Sequence, residues 1–206
     1  MISKKSIVRA RKMNDWEDLA SGQFELPLPG QVSVFSNAKE NTLDRMSKRL
    51  KETGANSLSM DSAKGLLEKL GVHNLLEKSP DVKTLFIPED RAMKRIPPKM
   101  AEVMQDANGP QGKSFAGSHI ISEALDMSTL VGKDEKYPTM HPKVDIRIIG
   151  PRNLPKDITP DKMYVQFLDP EGNELSTAQI IGHGPAEDDS EHIVYIVNNT
   201  PFATDK

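Results

Sequence analysis

The chain has 206 residues, of which 36% are hydrophobic and 28% are charged, and its net charge is −3. This length can build one domain of about 150 residues plus an extension, but not two full domains. No stretch approaches the roughly 20 apolar residues of a membrane span. The absence of cysteine excludes disulfides and thiolate metal sites. We therefore expect one globular domain with no membrane span.

The N-terminal tail is strongly basic. Its first twelve residues contain no acid and five cations, namely Lys4, Lys5, Arg9, Arg11 and Lys12. The cations at 9, 11 and 12 interrupt the apolar stretch of a secretory signal peptide, so we expect an intracellular or particle-associated protein rather than a classically secreted one. Such a tail can bind nucleic acid, anionic lipid or an acidic protein groove, but for the tail taken alone we favour a solvated, flexible terminus. Among the partners we favour an acidic protein surface over nucleic acid.

Two apolar features follow the tail and complete the set of predicted partner-binding residues. Trp16 is the only tryptophan and is flanked by acids. Phe24, Leu26 and Leu28 alternate with other residues in a proline-bearing segment, which excludes a regular helix and favours an extended strip. Because such a strip needs a surface to lie on, we expect it either to wrap its own domain or to insert into another protein. It is the best candidate for binding protein partners in a larger assembly.

An amphipathic helix is predicted next. Leu43, Met46 and Leu50 recur at helical spacing under a charged opposite face. We define residues 1–57, which hold the tail, the apolar strip and this helix, as the N-terminal arm. Residues 58–206 are the predicted folded domain.

The domain is predicted to open with helices. Asp61 is a suitable N-cap and Gly71 a suitable C-terminal stop for a helix with apolar residues at i, i+3, i+4 and i+7. These apolar residues are Ala63, Leu66, Leu67 and Leu70. A second helix is predicted to begin at Pro98, with Met100, Val103 and Met104 facing inward.

Between these helices, a short apolar strand from Thr84 ends at Pro88 and turns into an acid-led helix. Pro88 has no N–H and a fixed φ, so it can end strand pairing and open a helix. Glu89 and Asp90 then meet the positive end of the helix dipole. The buried residues of this helix are predicted to be Ala92, Met93 and Ile96.

The second half of the domain has the period of a sheet. Val144, Ile146 and Ile148 alternate with polar residues, as in a half-buried strand. Residues 163–168 and 177–181 are predicted strands joined through a turn at 169–172.

Several of these segments together resemble the fasciclin-like domain family. They are the opening helices at 62–76, the junction at Pro88, the segment Ser118-His119-Ile120-Ile121, and the last strand at 192–197 before Pro201. The resemblance covers roughly residues 58–202. It implies an α+β fold, a sheet sandwich or wedge with helices mainly in the N-terminal half of the domain, and a non-enzymatic role in attachment or adhesion.

Departures from the family pattern concern the residues linked to adhesion. The family's tyrosine-histidine strand has tyrosine where this chain has Ser118, and Gln179-Ile180 replaces an aspartate-isoleucine pair linked to receptor contact. His119 then has two interpretations. Either its buried imidazole ties the helices to the sheet through hydrogen bonds, which we favour, or it belongs to an adhesive surface.

Catalytic motifs are not visible in the sequence, so no catalytic residue, cofactor or metal is predicted. His183 and His192 flank the acidic residues 187–189, and an oxygen and nitrogen metal site there is an alternative to a solvated hairpin end.

The predicted function is a non-enzymatic attachment or adhesion module that docks onto a larger assembly through its arm. One alternative is a structural subunit that decorates or stabilises a virion or a large organellar complex. An alternative of another class is a polysaccharide-binding or metal-dependent enzyme.

Overall fold

The computed structural model describes residues 43–45, 47–48, 59–73, 83–106, 109–126, 135–150, 163–185 and 192–203. Their fold is α+β. The helices are α1 (Asp61–Lys69), α2 (Asp90–Met93), α3 (Pro98–Val103) and α4 (Pro110–Ser118). The strands are β1 (Thr84–Pro88), β2 (Ile120–Ile121), β3 (Lys136–Pro138), β4 (Asp145–Ile149), β5 (Tyr164–Leu168), β6 (Glu174–Pro185) and β7 (Ile193–Val197). Residues 43–45 and 47–48 are also helical.

The strands form one seven-stranded sheet in the order β2-β1-β7-β6-β5-β4-β3. The pairing of β1 with β7 is parallel, with Leu85 opposite Val194, and the other neighbours are antiparallel. Parallel neighbours cannot be joined by a tight turn. Strands β1 and β7, the first and last described strands in chain order, are adjacent because the chain between them returns to the same part of the sheet.

The long strand β6 joins the two parts of the sheet. It pairs with β5 up to Gln179 and with β7 from Ile180 onward. Its register shifts between Ile180 and Gly182, which marks a β-bulge. A bulge bends and twists its strand. The part of β6 before the bulge therefore pairs with β5, and the part after it pairs with β7.

Helix α1 has the predicted buried side, because Ala63, Leu66, Leu67 and Leu70 are at most 3% exposed. It begins one residue earlier than expected, since Met60 occupies the N-cap position and its carbonyl accepts from the Lys64 N–H at 2.9 Å. Asp61 is thus the first helical residue and not the N-cap. Gly71 follows the helix with a φ of 76°, which is the left-handed conformation that glycine adopts without strain.

Pro88 ends β1, but the following helix begins only at Asp90, because Glu89 is its extended N-cap residue. Pro98 is the first residue of α3, as predicted. The inward orientation predicted for Val103 is wrong, because this side chain is 39% exposed. Helix α3 is short, and its buried side consists of Met100 together with Met104, which directly follows the helix.

Helix α4 was not predicted, and Ser118, which was expected to open a strand, is its last residue. Its sequence has small residues and little apolar periodicity, so packing rather than propensity holds it. At Gly112 a Cβ atom would lie 2.7 Å from Leu70 Cδ2 and 2.9 Å from the Met104 carbonyl oxygen. Glycine is therefore required where α4 meets α1 and the end of α3.

Candidate functional site

The predicted partner-binding residues all lie outside the described part of the chain. They are Lys4, Lys5, Arg9, Arg11, Lys12, Trp16, Phe24, Leu26 and Leu28. Met46 and Leu50 of the predicted amphipathic helix lie outside it as well. The described sites are the junction between the arm and the domain, the His119 cluster and the outer face of the sheet.

The arm is packed onto the domain at Leu43. This side chain is completely buried and belongs to the same apolar core as the sheet and α1. The next residue, Asp44, forms an ion pair with Lys64 on α1, and Lys64 also lies 3.6 Å from the Glu68 carboxylate. Burial opposes the charge on Lys64, but the Asp44 hydrogen bond and the two acids outweigh burial and raise its pKa. The core therefore begins upstream of the predicted domain start at residue 58.

The first turn of α1 is capped by a residue from α2. The Asp90 carboxylate accepts from the Ser62 N–H at 2.8 Å and from the Ser59 hydroxyl at 2.5 Å. The Asp90 N–H also donates to the Ser59 carbonyl at 2.7 Å. Burial opposes ionisation of Asp90, yet these hydrogen bonds and the charge of Lys94 lower its pKa. The acid expected to meet the dipole of its own helix thus also stabilises the start of α1.

His119 is completely buried between helix α4 and the sheet. Its Nδ1 lies 2.6 Å from the Phe115 carbonyl oxygen, and its Nε2 lies 3.1 Å from the Thr200 hydroxyl. A carbonyl oxygen only accepts, so Nδ1 carries the proton and Nε2 accepts from Thr200. The ring also packs against Phe167 and Phe202, with centroid distances of 5.4 and 6.4 Å.

Burial lowers the pKa of His119 to about 4, although the hydrogen bond to Phe115 opposes the shift. The imidazole is therefore neutral near pH 7. It links α4, β5 and the C-terminal segment, which is what the structural interpretation of this residue requires. Because its side chain is completely buried, His119 exposes no atom that could contribute to an adhesive surface.

The position equivalent to the family's receptor-contact pair is only partly accessible, because Gln179 has intermediate exposure. Ile180 is completely buried. The Gln179 N–H donates to the Asn198 side-chain oxygen at 2.7 Å. This segment of β6 therefore contributes to the core and to the contact with the end of β7.

The two histidines considered as metal ligands lie at the ends of β6 and β7. His183 is exposed, with its ring 6.1 Å from that of the buried Tyr195. Partial burial of the ring lowers the pKa of His183, and the charge of Asp126 opposes this shift. Across the described residues, no cluster of three or more histidine and acidic side chains could hold a metal ion. The acids at 187–189 lie outside those residues.

The outer face of β4 and β5 carries an apolar pair that the sequence analysis did not single out. Ile149 and Tyr164 lie directly opposite each other and are 36% and 41% exposed. Alternation along each strand predicts outward positions, but the sequence alone does not show that these two face each other. The register between β4 and β5 shows that they do.

Hydrogen-bonded polar side chains lie next to this pair, one outward position further along β4 and β5. The Arg147 guanidinium donates to Gln166 Oε1 at 2.6 Å, and Gln166 Nε2 donates to the Glu174 carboxylate at 2.8 Å. The Thr177 hydroxyl donates to the same carboxylate at 2.8 Å. These bonds connect polar side chains of β4, β5 and β6 next to the pair.

The family model of the fasciclin domain matches residues 59–168 of this chain, which is more than half of it. The chain belongs to the fasciclin-domain family. Fasciclin domains are generally non-enzymatic, adhesion-type modules that mediate protein interactions. The matched region of this fasciclin-domain protein ends with β5, so Leu43 at one end and β6 and β7 at the other complete the core beyond it.

Among solved structures, the fasciclin-domain protein is similar to a FAS1 domain pair from the insect cell adhesion molecule fasciclin I. Identity is 15% and the TM-score is 0.49, over 70% of this chain and 45% of that one. It therefore spans less than half of that chain's length. No curated protein matches it. Within the described part of the fasciclin-domain protein, no helix has the length and apolar character needed to cross a membrane.

Proposed function

We propose that this fasciclin-domain protein is a non-enzymatic attachment subunit, and that residues 1–57 dock its domain onto a larger assembly. The observation that carries the proposal is the packing of Leu43, which is completely buried in the domain core. Asp44 reinforces this junction through its ion pair with Lys64. A partner that holds the arm is then joined to the domain through side-chain packing and not only through the covalent chain.

The chemistry of the arm supports a protein partner with an acidic rim and an apolar groove. The cationic tail complements acidic groups, which mainly accelerates association. Trp16 supplies the kind of large anchor that dominates protein interfaces, and the proline-bearing strip offers alternating apolar side chains. The general association of fasciclin domains with protein interaction agrees with this class of function.

Co-purification from the native source tests the proposal. Tagged full-length protein should retain a reproducible set of partner proteins, identified by mass spectrometry. The triple variant Phe24→Ser, Leu26→Ser and Leu28→Ser should lose them. The triple variant Lys4→Gln, Lys5→Gln and Arg9→Gln should slow association of the recovered complex and weaken its salt dependence, because exposed charges interact over a Debye length of about 8 Å.

Substitution of cations on the domain provides the matched control. Changing the exposed residues Arg91, Lys94 and Lys99 to glutamine removes as much positive charge as the triple variant of the tail. This control should retain the partners and the salt dependence. Retention of every partner by both arm variants would contradict the proposal.

A further inference from the structure

The segment that follows β7 covers one side of the buried His119 ring. The Thr200 hydroxyl donates to Nε2 at 3.1 Å, and Phe202 packs against the ring at a centroid distance of 6.4 Å. Thr200 is completely buried and Phe202 is 3% exposed. We refer to residues 200–203 as the latch. If the latch moved away, His119 would lose two of the side chains that shield it from water.

The other neighbours of the ring belong to regular elements. Phe115 lies one turn earlier on α4, and its carbonyl oxygen is 2.6 Å from Nδ1 of His119. Phe167 lies on β5, which is paired with β4 on one side and β6 on the other. Moving either residue would break helix or sheet hydrogen bonds. These two contacts are therefore the fixed side of the His119 site.

The latch has no regular secondary structure. Its backbone bonds internally, from the Ala203 N–H to the Thr200 carbonyl oxygen at 3.1 Å. The residues before it are held from outside, because the Arg95 guanidinium donates to the Asn198 carbonyl at 2.7 Å and to the Asn199 side-chain oxygen at 2.9 Å. These two asparagines form an anchored base, from which the latch can open locally while the sheet stays paired.

The described elements that contact the ring carry no acidic side chain. Helix α4 carries Lys113, more than one turn before His119, and the latch has no titratable residue. Strand β5 carries Tyr164, which is exposed on the opposite side of the strand from Phe167. Arg95, at the base of the latch, is a further cation. A proton on the closed ring is therefore a buried charge that no acid on these elements offsets, and burial lowers the pKa of His119 to about 4.

We propose that the latch is acid-responsive, and that protonation of His119 favours a state in which residues 200–203 leave the ring while α4 and the sheet stay folded. Opening brings water to the protonated ring and so removes the cost of burying its charge. It also uncovers Phe115 and Phe167. Acid thereby turns a part of the core into an accessible apolar surface. This inference goes beyond the proposed function, because it does not involve the arm.

The size of the effect follows from the protonation of His119 in the two states. The pKa of the ring is about 4 when the latch is closed, and an exposed ring has the ordinary value of 6.5. The ratio of open to closed molecules should therefore rise about 25-fold between pH 7.5 and pH 5.0. Hydrogen exchange on the full-length protein, corrected for the intrinsic exchange rate at each pH, measures this ratio. The protection of the Ala203 amide should fall by about this factor.

Urea distinguishes local opening from global unfolding in the unsubstituted protein. The Phe86 N–H donates to the His119 carbonyl at 2.8 Å and reports on the sheet. At pH 5.0, low concentrations of urea should leave the protection of Ala203 nearly constant, because a local opening exposes little surface, and should lower that of Phe86. Equal urea dependence of the two amides would show that the latch opens only with the whole domain, and would overturn the inference. This comparison needs no substitution.

Two variants separate the charge on the ring from its hydrogen bond. In His119→Gln, which cannot titrate in this range, latch protection should no longer depend on pH. Thr200→Val removes the hydroxyl, so it should lower latch protection at pH 7.5 and keep most of the pH dependence. His192→Gln is the matched histidine control and should keep the change of about 25-fold. A thermal melt checks that each variant is folded. A pH dependence that persists in His119→Gln, or that disappears in His192→Gln, would overturn the inference.

Discussion

His119 and Thr200 form a buried hydrogen bond, with 3.1 Å between Nε2 and the hydroxyl oxygen, that joins the end of α4 to the segment after β7. In the neutral ring Nε2 accepts from the Thr200 hydroxyl, whereas a protonated Nε2 would donate to the hydroxyl oxygen instead. Within the described residues, the hydrogen bonds and ring contacts of His119 involve Phe115, Phe167, Phe202 and Thr200, none of which carries a charge. Protonation in the folded state would therefore leave a cation without an opposite charge among these neighbours.

The first prediction is that acid destabilises the protein through His119. Its pKa is about 4 in the folded state, below the ordinary 6.5. Between these values the unfolded chain binds more protons, so this contribution is complete above pH 6.5 and is lost as pH falls towards 4. The loss amounts to about 3 kcal/mol. Urea denaturation at pH 7, 5.5 and 4.5 measures the free energy of unfolding.

His119→Gln should be less stable at pH 7, because an amide replaces a packed ring, but its stability should decline less between pH 6.5 and 4.5. His192→Gln is the comparison, because this residue is only partly buried. It should keep the slope of the unsubstituted protein. If the free energy of unfolding fell equally steeply with pH in all three proteins, protonation of His119 would not be what destabilises the protein in acid.

The second prediction concerns the cap that Asp90 provides to α1. Asp90→Ala should cost about 1 kcal/mol, as for other lost helix caps, because the Ser62 N–H loses its acceptor. Since its pKa is lowered below 3.8, the contribution is present above that pH and lost as pH falls below it. Thermal denaturation at pH 7 and pH 3 measures both effects.

Glu89→Ala is the control for Asp90. It removes the adjacent acid, whose side chain makes no capping hydrogen bond to α2. Its stability should change by less than about 0.5 kcal/mol. A loss from Glu89→Ala as large as that from Asp90→Ala would assign the effect to general helix-dipole electrostatics instead of the α1 cap.

The third prediction compares two glycines in helices. At Gly112 an added Cβ would lie 2.9 Å from backbone, so Gly112→Ala should destabilise the protein by about 1–3 kcal/mol. At Gly65, within α1, nothing lies within 4 Å of an added Cβ. Gly65→Ala should therefore stabilise it by about 0.5–1 kcal/mol through helix propensity. Changes of the same sign in urea denaturation would contradict this account.

Regular periodicity made α1 and β4 predictable, because each has one buried side along its whole length. Helix α4 could not be predicted, because its small residues show no apolar periodicity. They are explained only by close packing, such as that of Gly112 against Leu70. The exposure of Val103 reflects the shortness of α3. Local patterns specify elements with one continuous buried side, and packing decides the others.

The candidate sites depend on contacts between distant parts of the chain. Asp90 accepts from the Ser62 N–H in the first turn of α1, 28 residues earlier, and His119 contacts Thr200 at a separation of 81 residues. The resemblance directed attention to His119 but did not identify its partner. The pairing of Ile149 with Tyr164 depends on the register between β4 and β5. Sequence periodicity places each residue on a face, but it does not say which residue lies opposite.

The last prediction tests whether the domain extends upstream of the family match. Leu43 is completely buried in the core although the match begins at residue 59. Leu43→Ala should therefore destabilise the protein by about 2–5 kcal/mol, as for a core leucine such as Leu67, because it loses burial and leaves a cavity. Lys48→Ala, at an exposed position of the same segment, should change stability by less than about 0.5 kcal/mol. If urea denaturation gave Leu43→Ala the small value expected for Lys48→Ala, residues 43–48 would not be part of the folding unit, and the junction on which the attachment proposal depends would be lost.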